Sequence, residues 1–193
     1  MKEIRLSNVN AETRSEGENA NELVLRGCPI VYDQPTIIND GIGGNYTEII
    51  KRGALDGADL SDVRLLYNHD ANKIPLARTP KTMQLNVDTA GLTFEAVLPN
   101  TEEARAVHIA VQRGDLSGAS FAFTVPDGGD VFDPVTNTRT ILKIKKVYEF
   151  SICPFPAYPQ TSLEARSVQA VANKRFEQIR RAKIIINEIL MKK

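Results

Sequence analysis

The stretch LSGASFAF, residues 116–123, sets a hydroxyl among small side chains. Ser117, Gly118, Ala119 and Ala122 surround Ser120, while Phe121 and Phe123 carry the bulk. A serine hydroxyl is a weak nucleophile at neutral pH and needs a base within hydrogen-bond reach. The chain has two histidines, His69 and His108. His69 ends the run VRLLYNHD, where a strand gives way to a loop. That is a sound place to hold an imidazole against a partner from another strand. The local pattern fits a strand-end histidine with no role just as well. His108 lies between Val107 and Ile109 in a helical pattern and reads as a structural or half-exposed residue. Glu149 is an acid inside VYEFSIC, an apolar, strand-forming run. A buried carboxylate is costly unless paired, so a buried Glu149 needs a cationic or imidazole partner. The other reading is a charge on an exposed face.

Other chemistries fit less well. A metal site on both histidines and Asp70 matches no ligand spacing and lacks further ligands, so no metal or cofactor is expected. Cys28 and Cys153 each adjoin a proline in an apolar stretch. They read as small buried hydrophobes with free thiols. Cys153 has no glycine turn to expose it as a nucleophile.

The elements that must position these residues follow from periodicity. Residues 3–9 alternate weakly and suggest an edge strand, followed by a polar loop over 11–22. Residues 22–32 signal strand pairing, with a bulge at Gly27. Residues 62–70 read as a strand, and 83–99 as a hairpin turning near Gly91. Residues 100–114 change to helical spacing, with Asn100 or Thr101 as N-cap and Gly114 as terminator. On the 116–125 strand, Gly118, Ser120, Ala122 and Thr124 share one face, and the phenylalanines occupy the other. Residues 139–153 read as one long strand with Glu149, Ser151 and Cys153 on a common face. Residues 173–193 form an amphipathic basic helix with Phe176, Ile179, Ile184 and Leu190 among its apolar positions. Strands outnumber helices and do not alternate with them. This predicts a mainly β protein with peripheral helices, a mostly antiparallel β-barrel or sandwich.

The bulk numbers set limits. Lys plus Arg and Asp plus Glu each number 24 in 193 residues, so nothing in the charge balance favours nucleic acid. No apolar run approaches the roughly 18 residues of a membrane span. The first residues are too polar for a secretory signal, so an intracellular protein is expected.

The order of NHD, then LSGASFAF, then YEFSICPFPAYPQT resembles the tailed-phage prohead proteases. These capsid-maturation serine proteases are similar in fold to the herpesvirus assemblins, so the resemblance implies the antiparallel β-barrel. The resemblance covers roughly residues 22–166. It suggests an N-terminal strand and loop over 1–21, a protease barrel over 22–166, and a linker with the basic helix over 167–193. It implies His69 as base, Ser120 as nucleophile with Ser117 as the fallback, and Glu149 as third member. Assemblins place a second histidine after the serine; here none follows Ser120. Gly128, Gly129 and the loop after Gly114 are candidates for oxyanion donors. The resemblance further implies action inside the procapsid, in the host cytoplasm. The major capsid protein and its scaffolding segment would be substrates and partners, with self-cleavage and a homo-oligomer also open. The small residues would then leave room for an extended substrate strand to reach Ser120. The competing reading is a capsid- or scaffold-associated binding module on the same barrel.

Overall fold

The computed structural model describes residues 3–13, 22–39 and 44–154. The described chain runs through β1 (Glu3–Thr13), β2 (Leu23–Val31), β3 (Thr36–Asn39), β4 (Asn45–Ile50), β5 (Arg64–Tyr67) and β6 (Ala77–Arg78). It continues through β7 (Met83–Val87), β8 (Gly91–Leu98), α1 (Glu102–Arg113), β9 (Gly118–Thr124), β10 (Asp130–Asp133), β11 (Thr138–Ile141) and β12 (Lys146–Cys153).

The strands form two sheets. The larger has the order β6-β5-β12-β9-β1-β2-β8-β7, and the smaller β10-β11-β4-β3. The larger sheet ends at β6 and β7, so the expected barrel is not closed among the described residues. Nor is the pairing purely antiparallel: β5 runs parallel to β12, and β4 parallel to β11. Mainly β is right, and of the expected helices α1 falls within the described residues. The basic helix expected over 173–193 lies outside them.

Several local readings hold because their causes are local. Thr101 caps α1 by accepting from the Ala104 N–H, Glu102 and Glu103 fill its first turn, and Gly114 ends it at φ 82°. The β7–β8 hairpin turns where Asp88 Oδ1 accepts from Ala90 and Gly91. Gly91 also lies so close to β2 that a Cβ there would stand 1.9 Å from the Ile30 carbonyl oxygen. The β2–β8 register shifts between Gly27 and Ile30, at the expected bulge.

Two readings are corrected. The N-terminal strand is not an edge: Glu3–Asn8 pair with β9 and Val9–Thr13 pair with β2. One strand thereby joins the two halves of the larger sheet, and it runs on to Thr13, into the expected loop. The run 139–153 is not one strand. β11 belongs to the small sheet and β12 to the large one. The four residues between them are tied elsewhere: Leu142 and Lys143 donate to the Gly129 carbonyl, Ile144 to Ala54, Lys145 to Thr124. β11 buries every second residue and β12 begins the same way, so the alternation gives no sign of the crossing.

The core gathers Leu25, Ile30, Leu65, Met83, Leu92, Phe121, Phe123, Ile141, Phe150 and Ile152 with Val107 and Val111 of α1. Phe94 stacks on Phe150 with centroids 5.4 Å apart, a contact worth about 0.5–1.5 kcal/mol beyond burial.

Candidate active site

β9 and β12 lie side by side and carry the chemistry. Their register sets Ser120 opposite Ser151, Ala122 opposite Glu149 and Gly118 opposite Cys153. Directly opposed residues share a face, with Cβ atoms about 4.5–5.5 Å apart. Ser120, Ser151 and Glu149 therefore occupy one face, while Phe121, Phe150 and Ile152 point into the core.

A bulge makes this arrangement. The β9–β12 register shifts between Val147 and Glu149, so one extra residue sits in β12. Simple alternation would put Val147 and Glu149 on the same face. The shift keeps Val147 buried in the core and turns Glu149 to the hydroxyl side.

His69 reaches the same face from β5. The strand ends at Tyr67, and Asn68 and His69 both take left-handed backbone angles, φ 51° and 58°. That conformation is uncommon for residues other than glycine. Three consecutive N–H groups hold the turn: Asn68 donates to the Ile152 carbonyl (3.0 Å), His69 to Ser151 Oγ (3.2 Å), and Asp70 to the Tyr67 carbonyl (3.1 Å). The imidazole Nδ1 lies 2.8 Å from Glu149 Oε1, with both side chains more than nine-tenths buried. With Nδ1–H donated to the carboxylate, the tautomer leaves the Nε2 lone pair free to accept a proton.

Ser120 is fully buried, and its Oγ has no hydrogen-bond partner. An orphaned buried hydroxyl costs about 1–3 kcal/mol. The His69–Glu149 bond is thus formed and a Ser120–His69 bond is not. Gly118, Ala119 and Ala122 are buried as well. β9 is also paired on both edges, by β12 and β1. An extended substrate therefore cannot add to β9 as a further strand of the sheet.

Of the other sequence candidates, Cys153 shares this face at the end of β12, opposite Gly118, and the rest lie elsewhere. Ser117 stands just ahead of β9 and is half-buried. His108 lies in α1 and is 1% exposed, more buried than expected of a half-exposed helix residue. Gly114 terminates the helix. Gly128 and Gly129 serve the turn from β9 towards the small sheet, and a Cβ at 129 would collide with Pro126. Cys153 is a buried free thiol at the end of β12; Cys28 is free and half-buried, its thiol pushed up by burial and by Asp88. Among the described residues no group of His, Cys, Asp and Glu forms a metal site, and no helix is long and apolar enough to cross a membrane.

Sequence reading missed two features. Ser151 was placed on the face of Glu149 but given no role, since nothing local marks it as the acceptor for His69. The second is a buried charge cluster between the sheets. Arg139 of β11 forms ion pairs with Glu3 of β1, Glu48 of β4 (2.9 Å) and Asp130 of β10 (2.8 Å). Arg5 pairs with Glu48 and with Glu3 (3.1 Å), and its guanidinium lies 5.5 Å from the Phe123 ring centroid. Burial opposes both guanidinium charges, but the carboxylates outweigh it and hold both groups above their ordinary values. Burial likewise pushes the Tyr46 phenol up to about 12, against the pull of Arg5.

Compared with known families, residues 9–175 match the caudovirus prohead serine proteases. No curated protein and no solved structure matches the chain.

Proposed function

The chain belongs to the caudovirus prohead serine protease family, and from that premise we propose that Ser120 is the nucleophile, His69 its base and Glu149 the residue that orients the base. The observation that carries this reading is the 2.8 Å His69–Glu149 contact on the face where Ser120 holds an unpartnered hydroxyl. Thr124 Oγ1, farther along β9, is the other buried hydroxyl of this strand without a partner among the described residues, but it stands at the strand's far end from Gly118. A hydroxyl kept free beside an oriented imidazole is what acyl transfer uses.

In this mechanism Ser120 Oγ turns towards His69 Nε2 and attacks the scissile carbonyl as its proton passes to that nitrogen. Glu149 keeps the proton on Nδ1 in the resting state and stabilises the imidazolium that forms. His69 then protonates the leaving amine, and water repeats the cycle on the acyl-enzyme. The face must part before any of this, because Ser120 has no solvent exposure. Substrate crosses the opened face rather than extending the sheet.

The substrates of this reading are the scaffolding segment of the major capsid protein and the protease itself, within the procapsid. Co-expression with the cognate capsid protein, followed by intact-mass measurement, tests it. Trimmed capsid protein with the wild-type chain and none with Ser120→Ala supports the assignment. Trimming that survives Ser120→Ala but not Ser117→Ala moves the nucleophile to Ser117. A fluorophosphonate probe run on free and assembled protein reports when the face opens.

A further inference from the structure

We propose that Ser151 is a positioning residue for the reaction, acting through the main chain of His69. This rests on the reading that His69 and Glu149 form the base. His69 is held at two points, and both come from β12. Glu149 Oε1 takes the ring at Nδ1, and Ser151 Oγ, two residues along the same face, accepts the His69 backbone N–H at 3.2 Å. The hydroxyl is fully buried, so water does not replace it.

The backbone hold matters because of where His69 sits. The residue lies past the end of β5, in a left-handed conformation that a side chain with a Cβ rarely adopts. Without an acceptor this part-buried N–H loses its partner, and the turn gains by relaxing to another conformation. The imidazole would then swing on a loosened Cα while Glu149 stays fixed in the sheet. Ser151 is also the residue directly opposite Ser120. One side chain therefore references the base to the strand that carries the nucleophile. The hydroxyl donates no hydrogen bond among the described residues, so accepting from His69 is its visible task.

The test uses the Ser120→Ala protein as parent, which does not digest itself. Its His69 Nδ1–H, bonded to a buried carboxylate, should give a low-field proton signal that Glu149→Gln removes. Adding Ser151→Ala should broaden or shift that signal in a folded protein. Ser151→Thr keeps an acceptor on a side chain suited to a strand and should restore it. In the chain with Ser120 intact, Ser151→Ala should lower kcat by about a hundredfold, the scale of an ångström's misplacement, with little change in KM. If Ser151→Ala does not fold, Ser151→Cys takes its place, keeping the shape with a weak acceptor. An unchanged signal and kcat in the folded variant overturns the proposal, as does a folded Thr variant that fails to restore them. A parent without the low-field signal overturns the His69–Glu149 base as well. A wrong nucleophile leaves the spectra untouched, so the failures are distinguishable.

Discussion

The two faces of β9 carry two buried polar regions built on opposite rules. On the phenylalanine side, Arg5 and Arg139 meet Glu3, Glu48 and Asp130 across the gap between the sheets, and the charges are paired several times over. On the other side, Ser120 lies buried with nothing bonded to its hydroxyl. Buried charge left alone would cost several kcal/mol per ion, so the first region must be complete to exist at all. A neutral hydroxyl costs about 1–3 kcal/mol unpaired, a sum a fold can carry where chemistry uses the group. The charged region is saturated, whereas Ser120 is one of three buried hydroxyls among the described residues, with Tyr32 and Thr124, that have no partner.

Ser120→Ala breaks the comparison at its sharpest point. Cleavage should fall on the order of a millionfold, the scale for a lost serine nucleophile. The melting temperature should stay level or rise, since an orphaned hydroxyl is gone. A clear fall in stability would show that the hydroxyl is structural. Glu149→Gln should cost about ten-thousandfold in kcat, because an amide no longer selects the productive tautomer. A variant as fast as wild type makes Glu149 a structural acid.

Arg139→Met probes the opposite face. Stranding Glu3, Glu48 and Asp130 should destabilise the fold by about 3–5 kcal/mol, read by urea unfolding, before any direct effect on catalysis. Full stability would contradict the architectural role. Acid should act on the same region. Burial raises the Glu3 carboxyl, but the Arg139 hydrogen bond and the Arg5 charge outweigh it and hold the group below its ordinary value of 4.5. Its contribution to stability is therefore complete above 4.5 and is lost as pH falls through the depressed folded value. Unfolding free energies measured from neutral pH downwards should show this loss in wild type and a weaker one in Arg139→Met. The smallest effect is expected from Lys146→Gln. Its ion pair with Asp59 is 2.7 Å long but solvent-exposed, and such pairs contribute little. Stability should not change measurably.

The two regions also differ in how far the sequence announces them. Glu149 stood out because an acid in VYEFSIC needs a partner, and His69 because a strand ends there. The helix around His108 was legible from its caps. The charge cluster was not. Arg139 and Glu3 are 136 positions apart, and each looks like an ordinary surface charge in its own strand. The bulge at Val147–Glu149 escaped for a related reason: alternation reads the same with or without an extra residue, until burial shows which side Val147 takes. The closed barrel was expected from strand count alone, which does not say whether the outer strands meet. Room for a substrate at Ser120 was inferred from small side chains, and size alone does not say whether such a face is exposed; here Gly118, Ala119, Ser120 and Ala122 are buried.

The placement of β1 has a kinetic consequence. It is early in the chain yet interior in the sheet, and its neighbour β9 follows only after β2 to β8 and α1. The partner of Glu3 in the charge cluster lies farther still along the chain. Contacts of such sequence separation pay loop-closure entropy before they return any stabilisation, and folds rich in them form slowly. During synthesis the Val9–Thr13 part of β1 can pair with β2 at once, but the Glu3–Asn8 part must wait for β9 to leave the ribosome. His69, Ser120 and Glu149 cannot share a face until β12, the last described strand, has been made. The topology itself delays the proposed site in a cell full of nascent protein.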